Sequence, residues 1–408
     1  MTANGRSRVL VWQWGRFGGA PRFATLLAEG LAELPDVNVI LSLSRDAEIL
    51  RQASPPRCDL PIETYTTLAG FLTRAITAPF SLPGLIRLIR ELGPDIAVCA
   101  QPGPLDLMMA AALRWLRIPF FVLVHDADAH PGDGFPMQMW LQRSLCRQAN
   151  TVAALTAHVG DRLLRQKLAG TPGRPLVRLR HPPMHYAFAE HHDPDPGPAR
   201  GTFRLLLFGR LLPYKGLDLF ADSLGLLGSN PALSVRVVGS GPESRALSVL
   251  RGLPGVTVEN RWVPEAEVGA LFSWADAVVL PYREASQSGV AAVALAARRY
   301  VVATNVGGLA EQLSSENLAI LCEPDAASFA TGLRLVLDRQ RSVRSPPILD
   351  GPLRDGPIRD AQGQDAIDGW REIGRSLLDQ THALSLARQH RTRPAPFRHA
   401  GQLNEHPR

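Results

Sequence analysis

Apolar residues in the first half of the chain follow two alternating spacings. Short runs of β-branched, leucine and aromatic residues, such as RVLVWQW (8–14), PFFVLV (119–124) and TVAAL (151–155), have the pattern of buried strands. Between them, apolar residues recur at every third or fourth position, as in LPGLIRLIREL (82–92), which predicts amphipathic helices. Strands that alternate with helices in this way build a parallel sheet whose crossover connections are helical.

The alternation stops and then restarts in the middle of the chain. Proline, glycine and charged residues accumulate in HPPMHYAFAEHHDPDPGPARG (181–201), the composition of an interdomain linker. Strand patterns resume with FRLLLFG (203–209) and recur in LSVRVVG, DAVVLP and YVVAT, with helical patterns between them. We therefore predict an α/β protein of two doubly wound, Rossmann-like domains, at 1–188 and 202–364, joined by a linker at 189–201.

The end of the chain departs from this alternation. Residues 339–364 contain the near-repeat DGPLRDGPIRD among prolines, which predicts a flexible surface insertion. The segment AIDGWREIGRSLLDQ resumes a helical pattern, and we expect a C-terminal helix over 365–384. Residues 385–408 contain five arginines and one acid, Glu405, and are predicted to be a disordered basic tail.

Composition and charge narrow the class of protein. The net charge is +6, but the basic tail supplies most of it, so the charge gives no support to a nucleic-acid partner. No apolar stretch reaches the roughly 20 residues of a membrane span, and the N-terminus lacks the apolar run of a secretory signal. The four cysteines are widely spaced without metal-ligand pairing, as is typical of reduced thiols. We expect a cytoplasmic protein.

One segment points toward a membrane surface. Residues 71–92 mix arginines with leucine, isoleucine and phenylalanine, as does a helix at the interface of an anionic membrane. A core-facing helix with an exposed basic side has the same pattern. Peripheral contact with the inner face of the cell membrane and ordinary packing therefore both stay open.

Candidate ligand-binding groups follow the strands, because two α/β domains bind ligands at the carboxyl ends of their strands. Gly18 and Gly19 can bring backbone N–H groups close to an anion, although an ordinary strand-to-helix turn fits equally well. Arg210 directly follows the first strand of the second half, and Lys215 lies five residues later, at the start of the next helix. Two cations beside a helix N-terminus favour a diphosphate ligand.

Two further loops carry polar groups. His125 and Asp126 follow PFFVLV, where a histidine can hydrogen-bond a substrate, move a proton or serve only the structure. The sequence DAD with nearby His130 resembles a metal site, but such short acidic matches are common by chance, and we predict no metal. VVGSGPE lacks the third glycine of a dinucleotide fingerprint, since Ser244 stands there, and Gly239 is expected in a tight turn near the ligand.

The loop YREASQSGV (282–290) poses a similar choice. It holds one carboxylate, Glu284. If a helix begins at Gly289, Ser288 is a good N-cap, and the N–H groups of Gly289 and Val290 can hold a phosphate. The helix end can equally be capped by Ser288 alone.

Taken together, these motifs resemble the retaining GT-B glycosyltransferases of family 4. GGAPRFATLLAEGL is similar to the family's Gly-Gly loop and first helix, and GRLLPYKG to its Gly-Arg…Lys-Gly motif, with the same separation. VVGSGPE, LPYREASQSGV and VVATNVGGLAEQL follow in the order of its C-terminal segments. DGWREIG is similar to its last helix, which in the family crosses back onto the first domain. The resemblance implies two domains that face each other across a cleft.

The resemblance also implies a role for each motif. Arg210 and Lys215 would neutralise the diphosphate of a nucleotide-sugar donor in place of a divalent metal, so no cofactor is expected. His125 would lie near the transferred sugar and the acceptor, and Glu284 is the candidate for the family's sugar-facing carboxylate. The other donor-binding positions would be Gly18, Gly19, Gly239, Trp262, Val263, Ser288, Gly289 and Val290.

One family feature is degenerate in this chain. Members commonly carry two glutamates separated by seven residues, and alignment on VVAT puts those positions at Ala285 and Val293. Glu284 lies one residue early. Either a subgroup uses the SQSGV segment instead, or the chain has lost activity. The intact pair of Arg210 and Lys215 favours activity.

The expected function is transfer of a sugar from a nucleoside diphosphate sugar to a hydroxyl of a glycan or lipid-linked acceptor, in polysaccharide or glycolipid biosynthesis. Two alternatives stay open. One is a sugar-nucleotide epimerase with the same fold, and the other is a non-catalytic sugar-nucleotide-binding protein.

Overall fold

The computed structural model describes residues 6–134, 137–188, 202–344 and 367–380. The predicted linker at 189–201, the tail at 385–408 and most of the insertion at 339–364 lie outside the described residues. The described beginning of that insertion continues a helix as far as Arg344.

Six strands form a parallel sheet in the first half of the chain. Their side chains are buried on both faces, which is why these segments read as continuous apolar runs. The strands lie in the order β2-β1-β3-β4-β5-β6. In chain order they are β1 (Ser7–Gln13), β2 (Val37–Leu43), β3 (Ile96–Cys99), β4 (Phe120–Val124), β5 (Thr151–Ala154) and β6 (Leu176–Arg178).

Helices connect these strands. The described helices of the first half are α1 (Gly19–Ala32), α2 (Leu68–Leu92), α3 (Asp106–Trp115), α4 (Gln138–Gln148) and α5 (Ala157–Arg165), with a 3-10 turn at Glu48–Arg51. None of the described helices of the chain is long and apolar enough to cross a bilayer.

Helix α2 is much longer than the sequence pattern predicted. The pattern placed a helix at 82–92, whereas α2 begins at Leu68, after Thr67 has capped it by accepting a hydrogen bond from the Gly70 N–H. The first half of α2 escapes the pattern because its apolar side chains are exposed instead of facing a core. It also contains Pro79, a residue that usually ends a helix.

A second parallel sheet of six strands occupies the other half. Its strands lie in the order β12-β11-β10-β7-β8-β9. They are β7 (Phe203–Phe208), β8 (Leu233–Gly239), β9 (Val256–Asn260), β10 (Ala277–Leu280), β11 (Tyr300–Thr304) and β12 (Ala319–Cys322). The helices are α6 (Leu217–Leu227), α7 (Arg245–Gly252), α8 (Glu265–Trp274), α9 (Gly289–Ala296), α10 (Gly307–Leu313) and α11 (Ala326–Arg344). Two parallel sheets of this kind confirm the predicted fold class.

The strand orders create a ligand-binding crevice in each sheet. The chain leaves β1 toward β2 and later returns to β3 on the other side of β1, and β7 has the same relation to β8 and β10. Loops that diverge from such a switch point leave a crevice at the carboxyl ends of the strands. The loops after β1 and β7 are those that carry the predicted glycines and cations.

The last described helix, at 367–380 (α12), packs against α1. Gly30 allows the close approach, because a Cβ at this position would lie 2.5 Å from the Cβ of Trp370. The Trp370 ring meets Phe23 edge to face, with centroids 4.8 Å apart, and its Nε1–H donates to the Pro183 carbonyl at 2.9 Å. Helix α12 is thus held by α1 and by the segment around Pro183, which precedes residues 189–201.

Candidate active site

A cleft of about 470 Å³ opens between the carboxyl ends of the two sheets. Loops from both halves of the chain line it. Of the residues predicted from the sequence, the lining includes Gly18, Gly19, His125, Arg210, Lys215, Gly239, Trp262, Val263, Ser288, Gly289 and Val290. Glu284 is not among the lining residues.

Gly18 and Gly19 stand where β1 meets α1. Gly18 has φ +77°, in the left-handed region that favours glycine, and is the N-cap of the helix without a side-chain cap. The first N–H groups of α1 therefore donate no hydrogen bond to a capping side chain. Such a helix end on a cleft is suited to an anion.

Lys215 is held in a tight turn rather than in the helix itself. It ends the 3-10 turn Pro213–Lys215, and Gly216 separates it from α6. Gly216 has φ +67°, and a Cβ there would lie 1.8 Å from the Pro281 carbonyl oxygen, so only glycine fits. This turn brings the lysine against the loop that follows β10.

The Lys215 ammonium lies over aromatic rings. Its Nζ is 3.8 Å from the centroid of the Tyr282 ring and 5.0 Å from that of Tyr214. Burial lowers the pKa of Lys215 to about 8, and the nearby charge of Arg210 acts in the same direction. An anionic ligand in the cleft would favour the charged form of this lysine.

Arg210 reaches the cleft immediately after β7. Its guanidinium forms an ion pair with Asp133, from the loop after β4, and donates to the Tyr214 hydroxyl at 3.3 Å. The Arg210 side chain is half exposed. One of the two predicted phosphate-binding cations is thus paired with a carboxylate from the opposite half of the chain.

Helix α9 points its N-terminus at the cleft. Its N-cap is Ser288, whose hydroxyl accepts a hydrogen bond from the Ala291 N–H at 3.2 Å, which confirms the predicted cap. Gln312 accepts from the Ser288 N–H at 2.9 Å and fixes the cap from the other side. Gly289 and Val290 are the first helical residues, so their N–H groups have no acceptor within the helix. They form a third wall beside the two cations.

His125 is a buried residue with both ring nitrogens hydrogen-bonded. Nε2 is 2.9 Å from the Ala100 carbonyl oxygen, which requires a proton on Nε2, and Nδ1 accepts from the Gln287 amide at 3.1 Å. Burial lowers the pKa of His125, so the ring is neutral near pH 7. In this arrangement the histidine positions the side chain of Gln287.

Glu284 contacts a lining residue but does not itself line the cleft. Its carboxylate is 2.9 Å from Nδ1 of His130 and is half exposed. The positions that match the family's two glutamates, Ala285 and Val293, do line the cleft, and both are apolar. The catalytic role predicted for Glu284 therefore stays a prediction, and the geometry connects this residue to His130.

The DAD sequence does not gather its carboxylates at one point. Asp126 is 3.0 Å from Nε2 of His130, whereas Asp128 pairs with Arg162 and accepts from Gln166 at 2.9 Å. Within the residues that the structure describes, no three histidine, cysteine or acidic side chains are grouped as a metal site.

An aromatic pair marks one end of the cleft. Phe17 and Trp262 meet edge to face with centroids 5.5 Å apart. Beside them, Arg22 donates to the Glu265 carboxylate at 2.8 Å, and Glu48 accepts from the Glu265 N–H at 2.9 Å. Aromatic faces with hydrogen-bonding groups nearby are suited to a flat heterocycle.

Many of the lining residues were absent from the predicted site, and Gln287, His130 and Tyr214 are three of them. Gln287 was hidden in a polar loop, and its Oε1 is buried without a hydrogen-bond partner in the described structure. His130 and Tyr214 stack with centroids 4.6 Å apart. The sequence carried one further signal for the site. Lys167 and Lys215 are the only lysines among its 44 lysine and arginine residues, and Lys215 lines the cleft.

Comparisons with known proteins assign the chain to a family. Residues 17–179 match the sequence model described as Glycosyltransferase Family 4, and residues 202–339 match the one described as Glycosyl transferases group 1. Together the two matches cover most of the chain.

Individual relatives are more distant. The chain is 27% identical over 244 residues to glycogen synthase of Mycobacterium tuberculosis, a match that covers 56% of each protein. It is 26% identical over 227 residues to the GDP-mannose:glycolipid 4-beta-D-mannosyltransferase of Xanthomonas campestris, covering 50% of this chain and 56% of that protein. The chain thus spans about half the length of these curated relatives.

Solved structures share the fold over nearly the whole chain. A glycosyltransferase from Rickettsia africae superimposes with a TM-score of 0.59 at 13% identity, covering 93% of this chain and 97% of that one. HepE of Anabaena, solved with UDP and glucose, superimposes with a TM-score of 0.57 at 16% identity. This match covers 94% of this chain and 100% of that one. The UDP-GlcNAc 2-epimerase of Neisseria meningitidis superimposes with a TM-score of 0.56 at 10% identity. This match covers 91% of this chain and 100% of that one. With both halves matched by family models and the two facing sheets in place, the chain belongs to the family 4, or group 1, glycosyltransferases of GT-B fold.

Proposed function

We propose that the protein transfers a sugar from a nucleoside diphosphate sugar to a hydroxyl of a glycan or lipid-linked acceptor. One observation carries the proposal: Arg210, Lys215 and the N-terminus of α9 converge on one cleft. A diphosphate needs fixed positive charge and N–H donors, and this cleft offers both. The aromatic end at Trp262 would take the base.

The proposed chemistry is mainly electrostatic. When the bond between sugar and phosphate breaks, negative charge grows on the leaving diphosphate. Lys215 and Arg210 already lie in the cleft, so little reorganisation is needed to stabilise that charge. Gln287, positioned by His125, would hold the sugar, since its amide keeps one acceptor atom without a partner in the described structure. Positioning and charge stabilisation together would supply the rate enhancement.

We extend the proposal to retention of the donor's anomeric configuration. An inverting reaction needs a general base at the acceptor hydroxyl. The carboxylates of Asp126 and Glu284 are both engaged by His130, and the wall beside them offers the amide of Gln287 and the hydroxyl of Ser288. A retaining route, in which the departing phosphate takes the proton, suits this arrangement. Early product analysed by NMR should keep the donor's configuration, and an inverted product would reject retention.

A donor panel tests the function itself. UDP-, GDP- and other nucleotide-sugars are mixed with the protein, and we expect one nucleotide class to raise the melting temperature because it binds only the native state. Simple glycosides and polyprenyl-linked sugars then serve as acceptors. Transfer to an acceptor is the expected result. An isomerised donor formed without acceptor would instead identify an epimerase, and binding without transfer or hydrolysis would identify a non-catalytic binding protein.

We further propose peripheral contact with an anionic membrane through α2. Leu68, Leu72, Ile76 and Phe80 follow one another at four-residue spacing, and each is more than half exposed. Two exposed arginines, Arg87 and Arg90, follow on the second half of the helix. The alternative of a core-facing helix with an exposed basic side does not describe the first half of α2, whose exposed side is apolar. An apolar stripe followed by arginines suits a surface of anionic lipid.

Changing the stripe should remove membrane binding. We expect a variant with Leu72→Ser, Ile76→Ser and Phe80→Ser to bind vesicles of mixed neutral and anionic lipid at least about tenfold less, because each side chain withdraws apolar area from water on insertion. Co-sedimentation with the vesicles measures the change. Leu226→Ser is the matched control, since Leu226 is an equally exposed leucine on α6. Equal sedimentation of the triple variant and the control would reject α2 as the contact.

A further inference from the structure

The loop that follows β4, residues 126–134, reaches across the cleft to the other half of the chain. Its His130 stacks on the ring of Tyr214 at an interplanar angle of 15° and contacts Glu284 through Nδ1. A Cβ on Gly132 would lie 3.7 Å from the Leu212 side chain, so the loop backbone rests on the turn that carries Lys215. These contacts place the tip of the loop beside the phosphate-binding cations.

The tip of the loop ends in a charge that opposes the donor. Asp133 pairs with the Arg210 guanidinium, and its side chain is only 17% exposed. The same guanidinium donates to Tyr214, so both of its terminal nitrogens already have partners. A phosphate that bound Arg210 in this state would lie next to a carboxylate. Two like charges on one guanidinium repel each other, and water screens them less where the aspartate is partly shielded from solvent.

We infer that Asp133 is an internal competitor of the donor's diphosphate for Arg210, an inference that rests on the proposed function. The carboxylate holds Arg210 in position while no donor is bound. A nucleoside diphosphate exchanges with it, because a diphosphate carries more charge than one carboxylate and is held by Lys215 and α9 as well. Asp133 is therefore a positioning residue that touches the phosphate site without taking part in bond breaking.

The exchange has a consequence for both ends of the reaction. On entry, displacement of Asp133 reduces the affinity for any phosphate that cannot also engage Lys215. After transfer, return of the carboxylate to Arg210 assists the release of the nucleoside diphosphate. Removal of the charge should thus strengthen substrate and product binding together, which a loss of structural support would not do.

Asp133→Asn tests the inference by isothermal calorimetry with UDP and GDP, the nucleotides without their sugar. We expect the variant to bind the diphosphate about fivefold more tightly than the wild-type protein, a change in the range of one partly exposed ion pair. The affinity for the corresponding monophosphate should rise as well, because the same carboxylate competes with any phosphate at Arg210. In turnover experiments the KM for the donor should fall while kcat does not rise.

Two further variants serve as controls for Asp133→Asn. Asp128→Asn removes the same charge from the same loop, but Asp128 pairs with Arg162 instead of Arg210, so its diphosphate affinity should stay at the wild-type value. Asp133→Glu keeps the carboxylate and should also keep the wild-type affinity.

The outcomes distinguish a failure of the proposed competition at Arg210 from a failure of the proposed function. If the wild type binds the diphosphate and Asp133→Asn binds it equally well or more weakly, the competition at Arg210 is overturned. The donor site itself would still stand. A fivefold gain shared by Asp128→Asn would overturn it too, because the effect would then come from loop charge in general. Failure of every variant to bind either nucleotide would overturn the donor site and the competition together.

Discussion

Replacement of Lys215 with alanine is expected to lower kcat/KM for sugar transfer by about a thousandfold while the protein stays folded, the size of effect seen when a preorganised charge or donor is removed from a transition state. The ammonium lies in the cleft over the Tyr282 ring, where the departing diphosphate would come to rest. Its removal leaves the growing negative charge without one of the two cations that line the cleft. Arg210→Ala should have an effect in the same direction. Initial rates over a range of donor concentrations measure both.

The chain offers a matched control for Lys215→Ala. Lys167 is the only other lysine and lies on the surface outside the cleft. Lys167→Ala should therefore transfer sugar at the wild-type rate. Near-normal turnover in both Lys215→Ala and Arg210→Ala would contradict the phosphate site, provided that their melting temperatures match the wild type.

The same lysine gives the reaction a defined pH dependence. Burial holds the pKa of Lys215 at about 8, below its ordinary 10.5. Binding of a nucleoside diphosphate should therefore weaken as the pH rises through about 8, because the ammonium loses its proton. Stability responds in the opposite sense: between pH 8 and 10.5 the unfolded chain holds this proton and the native protein does not, so the lysine's contribution to stability rises with pH. A titration of nucleotide affinity from pH 6.5 to 9.5 should show the decline, and Lys215→Ala should lack it.

Trp370→Ala should reduce the free energy of unfolding by about 4 kcal/mol, within the range for deletion of a large buried aromatic side chain. Trp370 is 2% exposed and fills the space that Gly30 leaves on α1. The variant loses the edge-to-face contact with Phe23 and leaves the Pro183 carbonyl without its indole donor. Urea unfolding followed by circular dichroism measures the change.

An exposed residue of the same helix serves as the control for Trp370→Ala. Ile367 lies on the same helix but is 37% exposed, so Ile367→Ala should change the free energy of unfolding by less than about 1 kcal/mol. If Trp370→Ala were no more destabilising than this control, α12 would not be docked on α1. The Trp370 variant should also lose donor affinity, because Phe23 lines the cleft on its other side.

The parallel sheets and the phosphate-binding motif could be predicted from the sequence because their signals are local. A buried strand is a short apolar run, and Arg210 and Lys215 are five residues apart in one loop. Ser288 was predictable as an N-cap for the same reason, since it directly precedes the helix that it caps. Helix α2 was only half predicted, because its first half presents apolar side chains to solvent and so lacks the periodicity of a packed helix.

The partners of the site residues were not predictable, because they are distant in the chain. Asp133 and Arg210 are 77 residues apart, and His125 and Gln287 are 162 residues apart. No local pattern relates such pairs. Whether Glu284 faced the sugar also depended on a contact of this kind, and the contact it makes is with His130.

The sequence by itself determined the two α/β halves, the strand ends at which ligands bind, and the two cations suited to a diphosphate. Each of these follows from residue type and short-range spacing. Only the tertiary structure decided that Asp133 holds Arg210, that Glu284 contacts His130, and that Ala285 and Val293 line the cleft. The physical reason is that the direction of a loop side chain is set by the groups that pack on it, and for Arg210 and Glu284 those groups include residues from the opposite half of the chain.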